Sequence, residues 1–142
     1  MTHKRLIADP LTAALDPQSI ALIGASENPE KIGGRPIRYM LREGYKGRLY
    51  PINPRREEIQ GLKSWPDLNS LPEAPDLAIV AVPGMAALDA VKACAARGVK
   101  VAVVMTSGFG ETGEAGRRAQ HEMAEASRAA GMRLVGPNTQ GI

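Results

Sequence analysis

One cysteine, Cys94, stands in 142 residues, and aromatic side chains make up only 4% of the chain. A lone cysteine excludes an internal disulfide and a thiolate metal cluster; set among Ala93, Ala95 and Ala96, it reads as a small packing residue. Phe109, Trp65 and three Tyr are the whole aromatic supply, too few for the stacking platforms that single-stranded nucleic acid needs. There is no basic block of five or more residues. The net charge of +3, from 18 basic and 15 acidic residues, therefore gives no reason to expect nucleic acid. The longest unbroken apolar run, Leu77 to Val82, is far too short to cross a bilayer, and the N-terminus has no apolar signal stretch. A cytoplasmic protein with no nucleic-acid or membrane partner is the expectation. Catalytic signatures are missing as well: no H-E-x-x-H, G-x-S-x-G or GxxxxGK[ST] pattern occurs. The two histidines, His3 and His121, fall at the terminus and on the polar side of a helix, so no acid–base pair is assembled from them and no catalytic or metal-ligating residue is expected.

What is present is a regular alternation. The 15 Gly and 11 Pro are scattered between short apolar runs, as punctuation between elements and not as low-complexity linker. Asp9-Pro10 opens a short helix carrying Leu11, Ala14 and Leu15. Ile20 to Ile23 reads as a first strand, and a helix from near Pro36, with Ile37, Met40 and Leu41 at helical spacing, stops at Gly44. Leu49 to Ile52 is a second strand. The stretch Ile59 to Lys63 reads as a short extended segment, and the proline-rich run Trp65 to Pro75 as an exposed connection, because Pro66, Pro72 and Pro75 forbid a long helix. Leu77 to Val82 is the strongest strand signal, the central strand of a sheet covered on both faces. A helix with Leu88, Val91 and Ala95 on its apolar stripe, a strand Val101 to Met105, a helix from about Ala115 with Ala119, Met123, Ala126 and Ala130 facing inward, and a strand Arg133 to Val135 complete the pattern. The fold class that follows is α/β: a Rossmann-like, doubly wound parallel sheet in three α/β/α layers, with right-handed crossovers. Residues 1–18 form a lead-in and residues 19–142 a single domain.

In such a sheet the ligand sits beyond the carboxyl ends of the strands. The loops that gather there carry the informative residues. Gly24-Ala25-Ser26 follows the first strand and brings backbone N–H groups and a hydroxyl toward a phosphate. Asn53-Pro54-Arg55 follows the second strand, where an NAD-binding fold usually has a carboxylate for the ribose hydroxyls. An amide and a cation there favour a ribose that carries a phosphate, as in NADP at the 2′ position or coenzyme A at the 3′ position. The full GxGxxG fingerprint is absent, which argues against an ordinary dehydrogenase. Lys31 and Arg35, on either side of Gly33-Gly34, are further candidates for phosphate contacts, and Arg56 is a substitute for Arg55.

The segments SIALIGASENPEKIGG, GRLYPINPRREEIQGLKSWPDLNSLP, DLAIVAVP, VMTSGFGETGEAG and RLVGPNTQGI, in that order from Ser19 to Ile142, resemble the N-terminal CoA-binding domain of NDP-forming (ADP-forming) acyl-CoA synthetases. More distantly they are similar to the alpha subunit of succinyl-CoA synthetase. The resemblance implies a domain that holds coenzyme A, with Gly24, Ala25 and Ser26 at the phosphate loop and Arg55, next to Asn53, near the adenosine phosphates. It further implies that Val82, Pro83, Thr106, Ser107 and Gly108 line the cofactor channel, with Asn138 near the thiol end. Thr139 stands where related sequences often have cysteine. Ligases of this family work through an acyl phosphate and a phosphorylated histidine on a following domain, and ATP, ADP and Mg enter through an ATP-grasp domain or subunit. Neither histidine here matches the phosphorylated one. The expectation is a CoA-binding domain of an acyl-CoA ligase that does not catalyse ligation alone, whose partners are coenzyme A and further ligase domains. A free-standing CoA-binding regulatory or sensor module and an NADP-binding oxidoreductase domain are the alternatives, and a homo-oligomer is left open.

Overall fold

A computed structural model of the chain describes residues 10–106 and 113–136. Five parallel strands form the main sheet: β1 (Ser19–Ile23), β2 (Arg48–Ile52), β5 (Leu77–Val80), β6 (Val101–Val104) and β7 (Arg133–Val135). Between β2 and β5 lies a short antiparallel hairpin, β3 (Glu58–Ile59) and β4 (Leu62–Lys63). Helices α1 (Pro10–Leu15), α2 (Arg35–Arg42), α3 (Met85–Arg97) and α4 (Glu114–Ala130) are the α-helices among the described residues. The order in the main sheet is β2-β1-β5-β6-β7. The chain thus steps outward from β1 to β2 and then crosses back over β1 to build β5, β6 and β7 on its other side. That reversal is the switch point at which open α/β sheets bind ligands.

Strand residues alternate between two covered faces, which explains why the strands read as continuous apolar runs. Ala21, Ala78, Val80, Ala102 and Val104 pack with Leu88, Val91, Cys94, Ala119 and Met123 of α3 and α4. Ile20, Leu77, Val101 and Val103 pack on the opposite face with Ala13 of α1, and Leu22 meets Ile37 of α2 and Ile59 of β3. The Rossmann-like three-layer reading holds, with β5 in the centre as its sequence implied. No helix among the described residues is long and apolar enough to cross a membrane.

Several local expectations are corrected. The residue that α1 buries is Ala13, while Leu11 and Leu15 are 60% and 69% exposed. A six-residue helix makes under two turns, and a small residue lets its backbone approach the sheet closely. In α2 the stripe stops short, with Ile37 buried and Leu41 44% exposed, because the helix ends one residue later. In α4 the buried positions are Gly116, Ala119, Met123 and Ser127, and Ala130 is exposed. Ser127 Oγ donates to the Met123 carbonyl at 2.8 Å, so its hydroxyl is satisfied inside the core. The run after Trp65 is not wholly exposed either. Asp67 caps a 3-10 turn over Leu68–Ser70, and Leu68 and Leu71 are buried in the α3-side core.

The segment expected to be simply extended is the β3–β4 hairpin. Gln60 and Gly61 take φ of 50° and 84°, the left-handed pair of a two-residue hairpin turn. Ile59 is fully buried, so the hairpin is pinned to the body of the domain. At the start of β2, Arg48 and Tyr50 both donate to the Glu73 carboxylate. The Arg48 guanidinium holds the Glu73 carboxyl below the usual carboxylate range, and burial pushes the Tyr50 hydroxyl up, with Glu73 adding to the effect.

Candidate functional site

β1, β2 and β5 end level with one another, since Ile23 pairs with Ile52 on one side and Val80 on the other. Three loops leave the sheet from that common edge, and between them opens a cleft of about 940 Å³. Gly24 and Ala25 from β1, Asn53 and Arg55 from β2, and Val82 and Pro83 from β5 all line it. Residues from three separate stretches of sequence are thereby brought to one place.

The β1 exit turns sharply because Gly24 adopts φ +90°, and a Cβ there would stand 2.8 Å from Val82 Cγ1. The positive φ favours glycine, and a Cβ would also force Val82 to give way. The loop then folds back until Gly33 presses on the Gly24 carbonyl, where a Cβ on Gly33 would clash with backbone. Its amides are engaged within the protein: Gly24 and Ala25 donate to the Ile52 carbonyl at 3.2 Å, and Ser26 donates to the Gly33 carbonyl at 3.1 Å. What the turn offers the cleft is the bare backbone of Gly24 and Ala25, and Ser26 stands outside the lining. Ser26 Oγ accepts from the Asn28 N–H at 3.0 Å, which leaves its own proton to donate.

Asn53 fastens two of the loops together. Its Nδ2 donates to the Ala25 carbonyl at 3.0 Å and its Oδ1 accepts from the Arg55 N–H at 2.8 Å, an Asx turn that Pro54 stiffens. The turn leaves Arg55 exposed at the rim. Among the described residues its guanidinium has neither an ion pair nor a hydrogen-bond partner, whereas Arg56, the substitute, is engaged. Arg56 pairs with Glu27 at 3.7 Å and donates to the Glu58 carbonyl at 3.3 Å. Arg55 is the one cation among the residues that line the cleft.

Not every expected residue reaches the cleft. Lys31 is exposed on the β1–α2 loop, away from the lining, and the Arg35 guanidinium is held by the Glu30 carbonyl at 2.7 Å. Thr106, two residues past β6, is 9% exposed, its Oγ1 without a hydrogen-bond partner among the described residues, and it too stands outside the lining. Ser107, Gly108 and Asn138 lie outside the described residues. Two walls went unread in the sequence. Ala90, Ala93 and Ala96 of α3 floor the cleft, and the 3-10 turn with Asp67, Leu68 and Asn69 closes its side. Alanine at every third position of a helix leaves an open floor, and that spacing was the available signal. Arg97 clamps the turn by donating to the Leu68 and Leu71 carbonyls at 3.2 and 3.0 Å. Cys94 is buried and faces the core, and burial pushes its thiol up to about 12, so it is no nucleophile for the cleft.

The cleft thus brings a glycine turn and, among the described residues, a cation without a partner to the strand-end edge where open α/β sheets bind ligands. The model of the family described as CoA binding domain matches residues 18–142. The chain belongs to that family. This CoA binding domain is 42% identical over 127 residues to the alpha subunit of ADP-forming acetate–CoA ligase II from Pyrococcus furiosus, covering 89% of this chain and 28% of that protein. A solved structure of dinucleotide forming acetyl-coenzyme A synthetase 1 from Ca. Korarchaeum cryptofilum, in complex with phosphate and ADP, matches with a TM-score of 0.85 at 40% identity, over 92% of this chain and 28% of that one. A hypothetical protein from Pyrococcus horikoshii OT3 matches with a TM-score of 0.67 at 26% identity, over 95% of this chain and 90% of that one. The CoA binding domain is thus homologous to ADP-forming acyl-CoA ligases, and it spans under a third of the length of the ligase relatives.

Proposed function

We propose that this CoA binding domain holds coenzyme A along the cleft at the β1/β5 switch point, within an ADP-forming acyl-CoA ligase. In this reading the pyrophosphate passes over the Gly24-Ala25 turn, the 3′-phosphate meets Arg55, and Val82 and Pro83 border the path of the pantetheine arm, while Ser107, Gly108 and Asn138 lie outside the described residues. Asn53 acts by keeping Ala25 and Arg55 in register. Lys31 contributes at most long-range attraction from the loop. Coenzyme A supplies the thiol that accepts the acyl group. The histidine and the ATP-grasp machinery that make an acyl phosphate belong to other parts of such ligases, so the domain alone binds and orients without catalysing.

One observation carries this reading: the unpartnered Arg55 guanidinium and the Gly24 turn line the same cleft. A charge-assisted hydrogen bond to a phosphate is worth about 1.5–3 kcal/mol when enclosed, and the exposure of Arg55 puts the expected loss near the lower end. That is roughly tenfold in affinity. Titration calorimetry tests it. Wild-type protein is expected to bind CoA more tightly than dephospho-CoA, and Arg55→Ala to remove most of that difference while leaving dephospho-CoA binding nearly unchanged. Equal affinities in the wild type dismiss Arg55 from this role.

A second reading has an observation of its own. This chain covers 90% of the Pyrococcus horikoshii hypothetical protein, and the second reading is a free-standing CoA-binding module that senses or carries the cofactor. Sequencing the coding region beyond Ile142 separates the two, since a ligase continues into a histidine-bearing domain and a module does not.

A further inference from the structure

We propose that Gln60, at the tip of the β3–β4 hairpin, is a positioning residue that holds the β1–α2 loop in its phosphate-receiving conformation. The inference deepens the CoA reading and rests on it. Gln60 is the one non-glycine residue with positive φ among the described residues. The left-handed region disfavours a side chain other than Asn, Asp or Gly, and such strain persists where the surrounding structure holds it in place. Here the holding contacts all run to one target. Gln60 Nε2 donates to the Ser26 and Gly34 carbonyls, each at 3.0 Å, and its backbone N–H donates to Glu27 Oε1 at 2.7 Å.

Those two carbonyls stand at the two ends of the β1–α2 loop. The Ser26 N–H already closes that neck on the Gly33 carbonyl, and the Gln60 amide bridges it a second time from outside. Ile59, fully buried against Leu22, Ala25 and Ile37, makes the hairpin a rigid mount. Glu27 adds a tie through Arg56 at 3.7 Å. The closeness of Gly33 to Gly24, whose backbone lines the cleft, thus depends on a residue outside the lining, more than thirty positions along the chain from Ser26.

Gln60→Leu, which keeps the bulk and removes the amide, and Gln60→Gly, which relieves the left-handed backbone, test the role together. Both variants are expected to weaken CoA and dephospho-CoA to the same degree, roughly fivefold to tenfold for two lost hydrogen bonds. Binding of 3′-AMP, which has no pyrophosphate, is expected to stay unchanged, and so is the preference for CoA over dephospho-CoA. A purely structural role would weaken all three ligands alike. In the absence of ligand, amide hydrogen exchange over residues 26–34 is expected to quicken in both variants with the main sheet still protected. Unchanged exchange in that loop, or equal loss of 3′-AMP, overturns the proposal. If exchange quickens but the wild type binds no CoA, the CoA reading fails and the phosphate-receiving role falls with it.

Discussion

Gly33→Ala adds one methyl group and is expected to cost this domain far more than an ordinary surface substitution. Gly33 is buried, and a Cβ built on it falls well inside 3.0 Å of the Gly24 carbonyl oxygen and 3.1 Å from the Gly24 carbonyl carbon. The obstacle is backbone on both sides, so no rotamer change relieves it. The oxygen has to retreat by about 1 Å, an overpacking strain of about 1–3 kcal/mol. Moving it also loosens the Ser26-to-Gly33 bond and the paired donation of Gly24 and Ala25 to the Ile52 carbonyl. At about 1 kcal/mol each, losing two of these brings the total to about 3–5 kcal/mol. The lower unfolded-state entropy of alanine returns about 0.4–1 kcal/mol, leaving about 2–4 kcal/mol. For 142 residues the unfolding entropy is about 0.3 kcal/mol/K, so Tm should fall by about 7–13 °C. Thermal unfolding followed by circular dichroism measures the shift, and CoA titration below the new Tm should show weakened binding, because the strain lands on the β1 exit. A Tm within 2 °C of wild type would refute the claim that the two backbones are in forced contact.

Two further predictions concern groups away from the cleft. Cys94 is fully buried, and burial pushes its thiol up to about 12, so labelling by a thiol reagent should wait on opening of the fold; rapid modification of the native protein would contradict this. The Glu73 carboxyl is held below its ordinary value chiefly by Arg48, so its contribution is complete above the unfolded carboxylate pKa and disappears as pH falls through the lower, folded value. Denaturant melts should show wild type losing stability on acidification from about pH 5 more steeply than Glu73→Gln, and parallel curves would refute the coupling.

The legible parts of the fold were those where one local signal sufficed. Leu77 to Val82 announced a central strand because both its faces are covered, and the apolar run has no solvent side to interrupt it. Asn53-Pro54-Arg55 was readable as a strand exit because its turn chemistry is local. The surroundings of Leu41 and Ala130 were not readable in that way. Their exposure depends on where a helix ends and on how far it rolls against its neighbour, which periodicity alone does not fix. Gln60 was hidden for another reason. A two-residue hairpin normally advertises itself with Asn-Gly or Asp-Gly, and here Gln-Gly takes the turn because tertiary bonds to Ser26 and Gly34 hold it. The cleft was half visible. Its strand-end residues follow from topology, but its alanine floor and 3-10 wall arise from packing between elements distant in sequence.

The central claim is that the cleft at the switch point is shaped for a CoA nucleotide, with Arg55 waiting for the extra phosphate on its ribose. Side-by-side titration of the wild-type chain with CoA and NADPH tests it most directly. Saturable CoA binding that is tighter than NADPH is the predicted result. NADPH binding the more tightly, or CoA giving no binding at millimolar concentration, would contradict it.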